Sequence, residues 1–131
     1  MTSMEILAAL FLDAIDVRSV EGPSTRLDLT GVQFSAAAPA APPVTIEPHL
    51  CVIVHCPADA RSDAALEVVF RRGDEVIARN VQPLQVEPGR FNYRLVRAEL
   101  HFEELGTIEA HCRLDLGPVT VVPYTLLPPI P

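Results

Sequence analysis

Residues 49–56, HLCVIVHC, decide how the rest of the sequence is interpreted, because two histidines and two cysteines alternate there with aliphatic residues. Successive side chains of a β-strand point to opposite faces of its sheet. On a strand, the even-numbered side chains from Leu50 to Cys56 form an aliphatic stripe, and the odd-numbered ones from His49 to His55 occupy the other face. Such a stripe suits a core, with cysteine acting as a small apolar residue. The pattern predicts a buried or half-buried strand.

The alternative for the same stretch is a metal or redox site. His49 and His55 are six residues apart, which is about 20 Å along a strand, so they cannot ligate one ion. His49 and Cys51 share a face, but a metal site there would need His101 or His111 from a neighbouring strand. We therefore expect no metal ion and no cofactor.

The three cysteines, Cys51, Cys56 and Cys112, are an odd number without the dense spacing of small disulfide-rich secreted domains. Cys51 and Cys56 would point to opposite faces, so a bridge between them would require rearrangement. A reversible Cys56–Cys112 pair across the core stays open as an alternative to two apolar fillers.

The start, MTSMEILAALFLDAIDV, lacks the basic segment of an export signal, and its apolar run is too short to span a bilayer. We expect a cytoplasmic protein that does not contact a membrane.

The charge balance argues against nucleic acid as a partner. The formal net charge is −7, and the ten basic residues, all arginines, form no visible basic patch. Proteins that bind nucleic acid gain much of their affinity by neutralising phosphates with such patches. A nucleic-acid role is therefore not expected.

The clearest local signal is a β-hairpin in residues 66–81, LEVVFRRGDEVIARNV. Two apolar runs flank Gly73-Asp74, a two-residue turn in which glycine adopts positive φ without steric cost. This turn predicts a register in which most facing side chains match. The expected pairs are Arg72 with Glu75, Phe70 with Ile77, Val68 with Arg79 and Leu66 with Val81.

The other segments are also typical of short strands separated by proline and glycine. Expected strands cover Ile6–Val17, residues 107–116 and residues 119–125. Another is a run with Leu27, Leu29, Val32 and Phe34, which has a bulge at Gly31. The last is Phe91–Phe102, which has a bulge where its apolar residues change from odd to even positions. The Ala and Leu content of Ile6–Val17 also favours a helix, and residues 91–102 also fit a polar helical stripe. A Pro/Ala-rich stretch, residues 36–48, is expected as a surface loop, and residues 126–131 as a Pro-rich tail. Seven to eight strands in one domain, residues 1–131, predict an all-β, antiparallel β-sandwich, immunoglobulin-like or related.

The succession of LAALFLDAIDV (7–17), HLCVIVHC (49–56), ALEVVFRRGDEVIA (65–78) and TIEAHCRLDLGPVTVVPYTLL (107–127) resembles a family of small bacterial, mainly actinobacterial, proteins of unknown function. The resemblance covers most of the chain and consists of hydrophobic patterns and turns. Here the segment LFLDAID departs from the LADAA-like start of that family, and Gly31 stands where a Gly-rich stretch is usual. The resemblance implies a β-sandwich and carries no catalytic residue to this chain.

The sequence contains no nucleophile motif and no Gly-rich phosphate loop, so no residue is assigned to catalysis. We expect a non-catalytic β-sandwich that binds another protein or itself, because the apolar C-terminus VTVVPYTLLPPIP (119–131) is suited to an interface. The alternative is a small-ligand-binding protein or an enzyme with a cleft between the sheets or at a loop end. His49, His55 or His111 would then be the titrating group.

Overall fold

The protein is described by a computed structural model over residues 3–22 and 24–131, and in these ranges it is all-β, with no helix. The first six strands are β1 Glu5–Leu12, β2 Ala14–Ser19, β3 Thr25–Thr30, β4 Ser35–Ala37, β5 Val44–Ile46 and β6 His49–His55. The other six are β7 Asp63–Arg72, β8 Glu75–Gln85, β9 Phe91–Arg97, β10 Leu100–Phe102, β11 Gly106–Leu114 and β12 Thr120–Leu127. No helix in the described ranges is therefore long and apolar enough to cross a membrane.

The strands form two larger and two smaller sheets. The larger ones have the orders β4-β12-β11-β7-β8 and β1-β6-β9, and the smaller ones pair β10 with β5 and β2 with β3. All pairs are antiparallel except β4 with β12, which are parallel. The all-β prediction is confirmed. The described ranges contain twelve strands rather than seven or eight, because expected long segments are divided and residues 36–48 contribute short strands.

One cluster of buried side chains joins the two larger sheets. It includes Phe11 of β1, Leu50 of β6, Phe70 of β7, Ile108 of β11 and Tyr124 of β12. The ring centroids of Phe11 and Tyr124 are 4.8 Å apart in a tilted arrangement. We call the sheet faces that contribute to this cluster the inner faces and the opposite ones the outer faces.

Strand β6 has the face assignment that its alternation predicts. Leu50, Val52, Val54 and Cys56 all belong to the core cluster. The strand lies between β1 and β9 and is paired on both sides along its length. A central position explains why the most continuous aliphatic stripe of the sequence is found here.

The predicted hairpin exists, but its register is corrected by a bulge. The turn at Gly73 (φ 57°) and the Arg72–Glu75 pair are as expected. The register then shifts between Phe70 and Arg71, so Phe70 faces Ala78 instead of Ile77. Beyond the shift the partners are Val68 with Asn80 and Leu66 with Gln82 rather than Arg79 and Val81.

The first strand segment was expected to be continuous, but it ends at Leu12 and resumes at Ala14. The backbone N–H of Asp13, between the two strands, donates to the Thr30 carbonyl (2.9 Å). The second part forms the β2-β3 hairpin, which packs almost only against itself. After it the chain turns at Gly31 (φ 68°), so Val32 and Phe34 are exposed rather than inward.

Residues 91–102 form two strands and contain no bulge. The β6-β9 register is continuous from Phe91 to Arg97, and the chain then leaves this sheet to pair β10 with β5. The phase change of the apolar residues therefore marks a change of face: Phe91 and Leu95 lie outside, whereas Val96 and Leu100 are buried. A helix is excluded for this segment.

Three boundaries differ from the sequence expectation. The Pro/Ala-rich loop, residues 36–48, includes most of β4 and all of β5. Strand β12 extends to Leu127, so the buried Leu126 is a core residue rather than part of a tail. Leu116, expected on the inner face of β11, is 88 % exposed because the strand ends at Leu114 and the chain turns at Asp115 (φ 51°).

Pro123 lies inside β12 without a cost to the sheet. It faces Glu109 of β11, and the parallel pairing with β4 begins only at Thr125. The Thr125 N–H donates away from β11, to the Phe34 carbonyl (2.9 Å). Because alternate residues of a strand orient their N–H groups alike, the nitrogen of Pro123 is on the same free side, where no hydrogen bond is lost.

Candidate functional site

The histidines and cysteines of the decisive stretch lie along the outer face of the β1-β6-β9 sheet. His49, Cys51, Ile53 and His55 are flanked by residues of β1 on one side and β9 on the other. The middle rows are Leu10–Cys51–Leu95 and Ala8–Ile53–Tyr93. We call these six residues the apolar outer patch.

Polar and aromatic groups border the apolar outer patch at both ends. At one end His49 pairs with Arg97 across the strands. At the other end His55 Nδ1 lies 3.2 Å from the Glu5 carboxylate, and the His55 ring lies 5.0 Å from the ring of Phe91. An apolar centre with a polar rim is the usual arrangement of a protein interface.

The patch is accessible at its margin and closed at its centre. Leu95 is 45 % exposed and Phe91 is 64 % exposed, whereas Cys51 is 1 % exposed. Burial raises the pKa of the Cys51 thiol to about 11. Since the thiolate is the reactive form, this burial disfavours Cys51 as a nucleophile, and the side chain packs as a small apolar group beneath the surface.

The free edge of β9 is capped by side chains at Tyr93, in the middle of the strand. The Tyr93 N–H donates to Asn92 Oδ1 at 2.8 Å, and the Tyr93 carbonyl accepts from Arg94 Nη1 at 2.9 Å. The Asn92 amide also donates to the Gln85 carbonyl of β8 at 3.4 Å. Exposed strand edges are templates for unwanted pairing, and capped edges prevent it. The cap at Tyr93 therefore disfavours the pairing of another strand at the middle of the β9 edge.

The outer face of the five-stranded sheet has a different character. Glu67 accepts from Arg113 Nε (2.8 Å) and Arg79 Nε (3.0 Å), which links β8, β7 and β11. Hydrogen bonds from Arg79 and Arg113 hold the pKa of the Glu67 carboxyl below its ordinary value. His111 also lies on this face, 3.3 Å from Glu109 on its own strand. Valines lie beside these charges, among them Val81 (52 % exposed) and Val121 (45 % exposed), so the apolar side chains of this face are interrupted by paired charges.

The structure separates most of the predicted site residues. His49 and His55 lie at opposite ends of β6, and His111 lies on the other large sheet. His101 contacts Thr45 (3.0 Å) and Glu103 (2.9 Å). Within residues 3–22 and 24–131, no group of three or more His, Cys, Asp or Glu side chains is arranged to hold a metal ion.

The remaining two cysteines are core residues. Cys56 and Cys112 are fully buried in the main cluster, and both are free thiols. Cys56 Sγ donates to the Arg61 carbonyl at 3.3 Å. Burial raises the pKa of the Cys112 thiol to about 12.

A second feature, at the end of β1, is a cleft of ≈ 300 Å³. Asp13 Oδ1 accepts from Gln33 Nε2 at 2.9 Å, and Tyr124 Oη donates to Gln33 Oε1 at 3.5 Å. His49 and Glu47 also line it. Its apolar lining consists of Leu12, Ala36, Ala37, Ile46, Pro48 and Leu126.

Sequence reasoning identified His49 but neither the apolar outer patch nor this cleft. The strand predictions over Ile6–Val17 and Phe91–Phe102 do not separate the outward-facing Leu10, Tyr93 and Leu95 from core residues. Asp13 and Tyr124 are far apart in sequence, and no local pattern connects them.

The chain was also compared with known proteins. No protein-family model matches it, and no curated protein matches it. The resemblance to the actinobacterial proteins stays a prediction.

Proposed function

We propose that this protein is a non-catalytic β-sandwich, related to immunoglobulin domains, that works in the cytoplasm by self-association through the apolar outer patch. The single observation behind the proposal is the contrast between the two outer faces: one has an apolar centre with a polar rim, and the other carries the charged Glu67 network. The shared core of the two larger sheets supports the sandwich. The free, buried thiols are compatible with a reducing compartment.

A second copy is the occupant that this patch fits. Arg97 and Glu5 lie at diagonally opposite corners, at the far ends of β9 and β1. A two-fold rotation that brings two such faces together can set Arg97 of each copy over Glu5 of the other, with the apolar centres in contact. Rim charges of this kind fix orientation more than affinity, so burial of Leu10, Ile53 and Leu95 supplies the driving force.

The size of the patch sets the expected strength. Strand rise and spacing give a face of roughly 20 Å by 10 Å between the outermost backbone atoms, on the order of 400 Å² per copy once marginal side chains are added. The total is below the 1,200–2,000 Å² of stable complexes. We therefore expect a reversible dimer with a dissociation constant in the micromolar range or weaker.

Sedimentation velocity over a concentration series tests the proposal. The wild type should shift from monomer to dimer, and Leu95→Asp should stay monomeric, because a carboxylate would be desolvated at the contact. Val81→Asp is the matched control, since Val81 is similarly exposed (52 %) but lies on β8 of the other large sheet.

Two results would overturn the proposal: a wild type that stays monomeric up to millimolar concentration, or an equal loss of dimer in both variants. The orientation has its own test. Arg97→Glu should weaken the dimer, and adding Glu5→Arg should restore it, because the swap re-forms the same two pairs.

A further inference from the structure

Two side chains of the cleft at the end of β1, Tyr124 and Asp13, can accept further hydrogen bonds. Tyr124 is 3 % exposed, and its hydroxyl makes its one hydrogen bond within the described residues at 3.5 Å, the outer limit for such a contact. A buried hydroxyl with so weak a partner normally has a second one in water or ligand. Asp13 gives Oδ1 to Gln33, and its Oδ2, which packs beside Gly31, has no hydrogen-bond partner among the described residues.

The charge of the cleft is negative. Its lining contains the carboxylates of Asp13 and Glu47, and within the described residues it contains no arginine. The chain has no lysine to supply a cation. Burial and, after it, the charge of Asp13 raise the pKa of the Tyr124 hydroxyl. The two carboxylates and the hydroxyl favour a ligand that donates hydrogen bonds and carries positive charge.

The shape of the cleft defines the rest of the ligand. Its volume, ≈ 300 Å³, is at the lower end of small-molecule sites. Leu12, Ile46 and Leu126 provide an apolar wall beside the polar groups. Such a site accommodates a short alkyl stem with a charged head.

We propose that this cleft binds a small organic ammonium group, whose head is held by Asp13 and Tyr124 and whose alkyl stem lies on the apolar wall. The proposal is independent of self-association, which uses another surface. It specifies the ligand-site alternative of the sequence analysis. The main groups that bind the ligand are Asp13 and Tyr124 rather than the histidines.

The experiment is an NMR titration of the full chain with n-propylammonium chloride. Saturable shifts should appear at residues that line the cleft, and n-propanol, which has the stem without the charge, should bind much more weakly. Asp13→Asn keeps an oxygen acceptor for Gln33 and removes the charge, and Tyr124→Phe keeps the contact with Phe11 and removes the hydroxyl. Because Asp13 is exposed and water screens its charge, Asp13→Asn should weaken binding severalfold.

Asp59→Asn is the matched control, because Asp59 is an exposed acid that lines a different cavity, and its affinity should equal that of the wild type. The proposal is overturned if propylammonium does not saturate, if propanol binds equally well, or if Asp59→Asn weakens binding as much as Asp13→Asn. Nα-acetyl-lysine methylamide carries the same ammonium head on a lysine side chain. It distinguishes a partner protein from a free amine as the source of the ligand. Tighter binding of that compound assigns the cleft to a lysine side chain of a partner protein, and tighter binding of propylammonium assigns it to a free amine.

Discussion

At the scale of single residues, Gly31 holds Asp13 in place by having no side chain. Its φ of 68° is in the left-handed region, and a Cβ built on it would lie 2.1 Å from Asp13 Oδ2 and 2.9 Å from Asp13 Cβ. The whole Asp13 side chain thus packs over the glycine backbone. Any other residue at position 31 must displace the carboxylate that hydrogen-bonds Gln33.

Gly31→Ala should therefore destabilise the protein for two reasons. The left-handed backbone costs an alanine about 1–2 kcal/mol, and loss of the Asp13–Gln33 contact adds about 1 kcal/mol. Urea unfolding measures the sum, and Gly89→Ala isolates the first part, because Gly89 also has positive φ (80°) but open space around its Cβ position. Equal losses of unfolding free energy in Gly31→Ala and Gly89→Ala would contradict the packing described. So would a double variant, Asp13→Ala/Gly31→Ala, that does not recover the extra loss of Gly31→Ala.

The role of Gly31 shows what a single residue does and does not reveal in a sequence. A glycine between two alternating segments correctly indicates an irregular backbone at that point. That it supports Asp13 depends on the β2-β3 hairpin, which returns the chain to the end of β1. Tyr124 reaches the same place from β12. The members of the cleft meet only through tertiary structure, so no spacing rule could assign them.

At the scale of elements, Glu67 connects three strands of the five-stranded sheet. Its side chain accepts from Arg79 of β8 and Arg113 of β11. The pKa of Glu67 is lowered in the folded protein by these hydrogen bonds. A group with a lowered folded pKa stabilises the protein above its unfolded pKa, and this stability is lost as pH falls through the folded value.

We accordingly expect the wild type to lose stability as pH falls below the ordinary glutamate pKa of 4.5, and Glu67→Gln to lose less there while being less stable at pH 7. Urea midpoints at a series of pH values give both curves. Glu75→Gln at the exposed hairpin turn is the control and should follow the wild type. Parallel curves for Glu67→Gln and the wild type would show that the network does not contribute to acid sensitivity.

The β7-β8 hairpin shows how far elements follow from sequence. The turn at Gly73-Asp74 was predictable because a two-residue loop needs positive φ there. The bulge after it was not, because either register gives a plausible set of facing pairs. The bulge puts Val81 outside and Asn80 and Gln82 on the opposite side, where Gln82 Nε2 donates to Asn80 Oδ1 at 3.1 Å. This polar pair at the edge strand satisfies side chains that the simple register would have left outside.

At the scale of the whole molecule, the two large sheets enclose one core, and paired charges interrupt the apolar side chains on the outer face of the five-stranded sheet but not at the centre of the other. Alternation along each strand was sufficient to predict an all-β chain and most core positions, such as those of β6 and β11. It was not sufficient to predict which outer face would be apolar. That property depends on which strands become neighbours, and β1, β6 and β9 are distant in the sequence.

The net charge of the whole molecule gives the last prediction, which concerns the salt dependence of self-association. Each copy carries −7, so two copies repel one another at low ionic strength, whereas the Arg97–Glu5 rim pairs contribute at most about 1 kcal/mol each. Raising NaCl from about 20 mM to about 200 mM shortens the Debye length from roughly 20 Å to below 10 Å, and the dimer should tighten severalfold in sedimentation. An apolar contact between acidic molecules must respond in this direction, while a contact held mainly by ion pairs must weaken. A dissociation constant that rises with salt would therefore contradict an association driven by Leu10, Ile53 and Leu95.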